Sequence, residues 1–134
     1  MLSIIIPHFK ETFDFMRPLF NSLDGQRLID FSQLEIIIVN DCGEPLKLEQ
    51  FDRYEHIRPH LITTEQNAGA SVARQVGINY AHGEFIMPID ADDCLNGQHA
   101  LFRVMSAIYE KPETDLFHGQ FMEEQEIEGM WGLH

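Results

Sequence analysis

The sequence predicts an open, mostly parallel α/β sheet flanked by helices, and three observations predict it. Short, almost continuously apolar runs recur at residues 2–7, 34–39 and 85–89, each stopping at proline or at a polar residue. Strands covered on both faces look like this, because successive side chains point to opposite sides and every one must be buried. Between the runs, apolar residues recur at helical spacing. The chain has 134 residues, 44% of them hydrophobic, which suits one domain spanning 1–134 with a core of its own.

Leu2-Ser3-Ile4-Ile5-Ile6-Pro7 reads as the first strand, rich in β-branched residues and stopped by proline. Phe13, Met16, Phe20 and Leu23 then follow helical spacing, with Gly25 as the stop; Pro18 lies inside the pattern, so the helix begins near it or bends there. Leu34-Glu35-Ile36-Ile37-Ile38-Val39 is a second buried strand running into Asn40 and Asp41. Residues 44–59 read as a loop with one short helix around 48–54, and 60–64 as a third, weaker strand. Asn67-Ala68-Gly69-Ala70-Ser71 is a small-residue turn into a helix whose apolar face is Val72, Ala73, Val76 and Tyr80. Phe85 to Asp93 is the fourth strand with its acidic end. A helix from Asn96 or Gly97 follows, with Leu101, Val104, Met105 and Ile108 on its apolar face, and residues 115–122 read as a further strand. The run Glu123-Glu124-Gln125-Glu126-Ile127-Glu128 reads as a solvated acidic face or a frayed end.

Composition excludes several classes of function. Nine Lys and Arg against 22 Asp and Glu give a formal charge of −13, which argues against a protein that tracks nucleic-acid phosphates. An anionic ligand would need a metal ion, or arginine and backbone donors, to offset these surroundings. No apolar run approaches the roughly 18 to 20 residues that span a bilayer, and the apolar start lacks a basic flank and a cleavage site. The expectation is a cytoplasmic protein with no transmembrane segment. Cys42 and Cys94, without CxxC spacing, read as free thiols. A phosphate loop, a dinucleotide Gly-x-Gly-x-x-Gly fingerprint, a Gly-x-Ser-x-Gly elbow and metalloprotease histidine spacing are all absent from the sequence.

What remains is acid at strand ends. In an open α/β sheet, ligands bind outside the carboxyl ends of the strands. That rule puts Pro7-His8, Asn40-Asp41 and Asp90-Ala91-Asp92-Asp93 along one edge. Carboxylates this close repel one another, and a hard divalent cation would neutralise them. With an extended backbone, Asp90 and Asp92 would point the same way and meet one ligand. The alternative at this level is a solvated turn in which one aspartate caps the next helix.

Taken together, Ser3-Ile4-Ile5-Ile6-Pro7, Glu35-Ile36-Ile37-Ile38-Val39-Asn40-Asp41, the stretch from Asn67 through Arg74 to Gly77, and Gly83-Glu84-Phe85-Ile86 through Asp90-Ala91-Asp92-Asp93 resemble the family-two glycosyltransferases. The resemblance covers nearly all of the first 95 residues. It implies a Rossmann-like GT-A nucleotide-sugar-binding fold, truncated on its C-terminal side, and an inverting glycosyltransferase that takes a UDP-sugar donor through a divalent metal at a DXD motif. The implied cofactor is Mn2+ or Mg2+. The acceptor would be a saccharide, lipid or protein, and a truncated sheet would favour self-association into a homo-oligomer.

By the same resemblance, the backbone at Pro7, His8 and Phe9 flanks the nucleobase, Asp41 contacts it, and Asn67 and Arg74 lie on the nucleotide side. Asp90 and Ala91 lie by the ribose and sugar, and the metal is held by Asp92, with Asp90 beside it. Asn40 stands where the family often has Asp, and Cys42-Gly43 replaces the common Gly-Ser. The family takes its general base from the later part of its fold; Glu123, Glu124 and Glu126 are candidates here only because they are acidic. A catalytically incomplete binding or interaction module of the same fold is the alternative function.

Overall fold

The computed structural model describes residues 1–115 in full and the backbone of 122–127 and 130–133. Its main sheet contains β1 (Leu2–His8), β2 (Leu34–Asn40), β3 (His60–Thr63) and β4 (Phe85–Pro88), in the spatial order β3-β2-β1-β4. Every pair is parallel, as continuous apolar runs require. Its helices are α1 (Phe13–Asp24), α2 (Ala70–Tyr80) and α3 (Ala100–Glu110), with 3-10 turns at Phe31–Gln33 and Leu48–Arg53. Beyond them, β5 (Met122–Ile127) and β6 (Met130–Leu133) form a separate antiparallel pair.

The sheet divides the core in two. On one face Leu2, Ile4, Ile6, Ile36 and Ile38 pack with Phe13, Met16, Leu19, Phe20 and Leu23 of α1 and with Leu101 of α3. On the other, Ile5, Ile37 and Val39 meet Ala73 of α2. Thr12 caps α1 by accepting the Phe15 N–H, and the helix continues through the exposed Pro18 without starting there. Its five buried apolar side chains contribute roughly 1.5–3 kcal/mol each, more than the roughly 3 kcal/mol an interior proline costs.

Three expectations are corrected. The buried face of α2 is Ala73 and Gly77, whereas Val72 and Tyr80 are exposed. A Cβ on Gly77 would stand 2.6 Å from Ile5 Cγ2 and 3.1 Å from Val39 Cγ2, so the helix lies too close to the sheet for large side chains at its contact line. The fourth strand ends at Pro88, where its pairing with Ile5 ends, and does not run to Asp93. The following helix starts at Ala100, not at Asn96 or Gly97; Gly97 has φ +87°, outside helical geometry.

The acidic stretch 123–127 belongs to β5 and is not a frayed end. Of the strand expected over 115–122, residues 116–121 lie outside the described residues, Asp115 falls in a bend and Met122 begins β5.

A polar cluster ties the opposite ends of the strands together. Glu35 is buried, and its Oε1 accepts the Ser3 hydroxyl (2.7 Å) and the His82 N–H (2.8 Å). Its Oε2 meets His82 Nδ1 at 2.8 Å and His60 Nε2 at 3.9 Å. Burial pushes the Glu35 carboxyl up, but the hydrogen bonds from His82 and Ser3, with the charge of His82, bring it below the ordinary range.

Candidate functional site

The parallel register sets His8 opposite Asn40 and Asn40 opposite Thr63, while the Ile89 N–H continues the β1–β4 ladder onto Ile5 C=O at 3.0 Å. The carboxyl ends of the strands therefore converge, and the chain leaves them carrying Phe9, Asp41, Thr64 and Asp90.

Past Ile89 the backbone turns, with the Asp93 N–H donating to Asp90 C=O at 3.1 Å. Ala91 at the centre of the turn is buried in the core cluster that contains Ile89 and Leu101, while the three carboxylates stay exposed. Carboxylate oxygens of Asp90, Asp92 and Asp93 all lie within 4.8 Å of one another. A turn, rather than an extended strand end, brings them together, and it recruits Asp93. Asp93 cannot cap α3, which begins seven positions later at Ala100. Burial and then the charges of Asp92 and Asp90 push the Asp93 carboxyl up. An all-oxygen donor set of mutually repelling carboxylates fits a hard divalent cation such as Mg2+ or Mn2+. Among the described residues it is the one cluster of three such groups close enough to share an ion.

Asp41 organises the middle of the edge. It is buried, and its two carboxylate oxygens accept the Ala68 N–H (2.9 Å) and the Gly69 N–H (2.8 Å), with the Thr64 hydroxyl 3.4 Å away. The small residues there let the backbone approach the carboxylate and lead directly into α2. Asn40 explains its own departure from the commoner Asp. Its buried amide donates to Gly43 C=O (2.8 Å) and accepts the Gly43 N–H (2.9 Å), a pair of bonds an ionised carboxylate cannot make. The turn packs tightly on β1: the Asp41 N–H donates to His8 C=O at 2.8 Å, and a Cβ on Gly43 would lie 2.2 Å from Phe9 O.

Arg74 of α2 reaches across the edge to Asp90, Nη2 to Oδ1 at 2.8 Å. It thus sets a cation beside the acidic turn. Pro7 and His8 are buried at the end of β1, Phe9 is half-buried and Asn67 is exposed in the loop held by Asp41. The His8 Nδ1 is buried without a hydrogen-bond partner, and burial, only partly offset by Glu11, pushes its pKa down. The residues expected from the sequence to bind the nucleotide-sugar and metal thus lie on strand ends or on the loops and helix that extend from them, whereas Glu123, Glu124 and Glu126 fall within β5 of the separate pair. Sequence reasoning missed the part of Asp93 in the cluster, because it required knowing where α3 starts.

A concavity of about 300 Å³, lined by Leu28, Ile29, Phe102, Met105 and Tyr109 among others, contains none of these groups. Cys42 and Cys94 are exposed free thiols. No helix among the described residues is long and apolar enough to cross a membrane.

Comparison with known proteins adds an independent line. The family model described as Glycosyl transferase family 2 matches residues 3–134. The uncharacterized glycosyltransferase YibD of Escherichia coli (strain K12) is 42% identical over 93 residues, covering 69% of this chain and 26% of YibD. The crystal structure of S. aureus TarS 1–349 in complex with UDP-GlcNAc is similar with a TM-score of 0.71 at 26% identity, over 83% of this chain and 32% of that one. The mannosyltransferase PcManGT from Pyrobaculum calidifontis, in complex with GDP-Man and Mn2+, shares the fold at a TM-score of 0.68 and 16% identity, over 80% of this chain and 32% of that one. The chain thus spans about a quarter of the curated relative (26%) and about a third of each solved chain (32%).

Proposed function

This chain belongs to glycosyl transferase family 2 and has its GT-A fold, and from that premise we propose that it binds the nucleotide-sugar donor of an inverting glycosyltransferase, a UDP-sugar, through a divalent ion. The observation that carries the proposal is the convergence of Asp90, Asp92 and Asp93 within 4.8 Å, beside Arg74 and on the same sheet edge as Asp41.

In this reading Asp92 is the principal ligand for Mn2+ or Mg2+, with Asp90 beside it, and the strand end at Pro7, His8 and Phe9 flanks the nucleobase together with Asp41. A bound ion supplies charge neutralisation to the diphosphate leaving group. The protein's own residues do the rest. Asp41 fixes the loop containing Asn67, so that the nucleotide side of the edge is ordered before donor arrives. Arg74 releases Asp90 to reach an anionic donor group, and Ala91, buried under the acidic turn, keeps the carboxylates facing out. A UDP-sugar is favoured by the UDP-GlcNAc in complex with TarS, to which this chain is similar in structure. The exposed free thiols agree with a reducing, cytoplasmic setting.

Isothermal titration calorimetry tests this directly. UDP should bind with Mn2+ or Mg2+ present, and binding should fall at least tenfold in chelator or in Asp92→Ala, since loss of even an outer-shell partner of a metal ligand costs about 10–100-fold. Equal binding with metal, with chelator and in Asp92→Ala would refute it. A turnover assay with UDP-sugars and added acceptors then separates a transferase from a module that only binds.

A further inference from the structure

The acidic turn is tethered at three points, and one of them depends on a residue far from it in sequence. Upstream, the Ile89 N–H is held by Ile5 C=O of β1. At the centre, Ala91 is buried in the core. Downstream, the segment from Asp93 to α3 is held by the C-terminal end of α1. Ser22 Oγ accepts the Leu95 N–H at 3.1 Å, and the Arg27 N–H donates to Gln98 C=O at 2.7 Å.

Gln26 makes the central link. It is 4% exposed, and its Nε2 donates to Ser22 C=O (2.9 Å) and to Gly97 C=O (2.8 Å) while its Oε1 accepts the Leu101 N–H (2.9 Å). Leu101 is in the first turn of α3, whose own N-cap position, His99, provides no side-chain cap. Gln26, just past the Gly25 C-cap of α1, therefore supplies α3 with the missing acceptor, and closes the end of α1 with the same amide. Only a neutral primary amide fits, since the site needs two donors and one acceptor within a buried pocket.

We infer that Gln26 is a positioning residue for the divalent-ion site. By clamping Gly97 and the start of α3 to α1, it holds the Asp90–Asp93 turn closed against the repulsion of its own carboxylates, so that the ion meets a preformed site. The inference rests on the proposed ion binding by this turn. The physical reason is that a ligand shell which must be ordered as the ion binds loses affinity by the cost of that ordering.

The test is Mn2+ binding, followed by the electron paramagnetic resonance signal of free Mn2+, on the whole chain. Gln26→Met keeps the volume and loses all three bonds, and should raise the Mn2+ Kd about tenfold. Gln26→Glu keeps only the acceptor and should do the same. Ser22→Ala, a milder change that removes the Leu95 tether, should raise it about threefold, the low end of what one net hydrogen bond is worth, and serves where the Gln26 variants fold poorly. Asp24→Ala is the control for structural damage at the same helix end. Asp24 accepts the N–H groups of Glu55, His56 and Ile57, its hydrogen bonds among the described residues pointing away from the acidic turn, so its loss should lower the melting temperature and leave the Mn2+ Kd unchanged. If the folded Gln26 and Ser22 variants keep the parent Mn2+ Kd, the positioning role is overturned while ion binding stands. If the parent protein binds Mn2+ no better than Asp92→Ala, the ion site itself is wrong and the inference falls with it.

Discussion

Replacing Gly77 with alanine puts two opposing effects against each other on one residue. In an exposed helix interior, glycine to alanine gains about 1 kcal/mol. Here the new Cβ would lie 2.6 Å from Ile5 Cγ2 and 3.1 Å from Val39 Cγ2, both of them fully buried side chains. Ordinary carbon–carbon contact is about 3.5–4.0 Å, so α2 would have to lift from the sheet by about 1 Å. Overpacking of this kind costs roughly 1–3 kcal/mol. Set against the gain in propensity, the net is a loss of about 1 kcal/mol, or about 3–5 °C in melting temperature for a chain of this size. Lifting α2 also displaces Arg74, which lies one turn before Gly77 and reaches Asp90. Thermal unfolding by circular dichroism gives the sign. A melting temperature that rises would refute the reasoning, because it would mean that Gly77 is tolerated only for its freedom and not required by close approach.

Other outcomes follow from individual contacts. Arg74→Ala should leave stability within about 0.5 kcal/mol, because its pair with Asp90 is partly exposed and such pairs contribute about 0–1 kcal/mol. It should nevertheless weaken UDP binding in calorimetry, and an unchanged affinity would remove Arg74 from the donor site. Glu35 has a folded pKa below its ordinary value of 4.5, so its contribution is present above that value and is lost as pH falls through the folded pKa. Urea unfolding of the parent and of Glu35→Gln at pH 7, 5, 4 and 3 should therefore show a stability gap that shrinks below about pH 4.5; a gap independent of pH would contradict the assignment.

Much of this organisation was legible in the sequence, and the failures share a cause. Continuous apolar runs located β1, β2 and the start of β4, because burial on both faces leaves no alternation to misread. The rule that ligands sit at carboxyl ends then gathered His8, Asp41 and the aspartates on one edge. Periodicity mistook the buried face of α2, since it weights large residues such as Val72 and Tyr80, whereas close approach to a sheet selects Ala73 and Gly77. It also drew β4 and α3 too near each other. The segment between them is set by Ser22 and Gln26, whose partners lie 71 to 75 residues away and carry no local signal. The same distance hid the part of Asp93: a cap on the next helix is one reading of these aspartates, but α3 begins only at Ala100. Asn40 stands where the family often has Asp, and its two bonds to Gly43, invisible in the sequence, give the amide a purpose.

Everything proposed for donor binding depends on the turn after β4 holding the ion that receives the donor diphosphate. A crystal structure of the chain grown with UDP and Mn2+ tests it most directly, using the anomalous signal of manganese to locate the ion. Manganese is expected at the Asp90–Asp93 turn with Asp92 as ligand, the diphosphate on the ion, and the uracil at the edge formed by Phe9 and Asp41. Manganese and UDP bound elsewhere on the protein would contradict it.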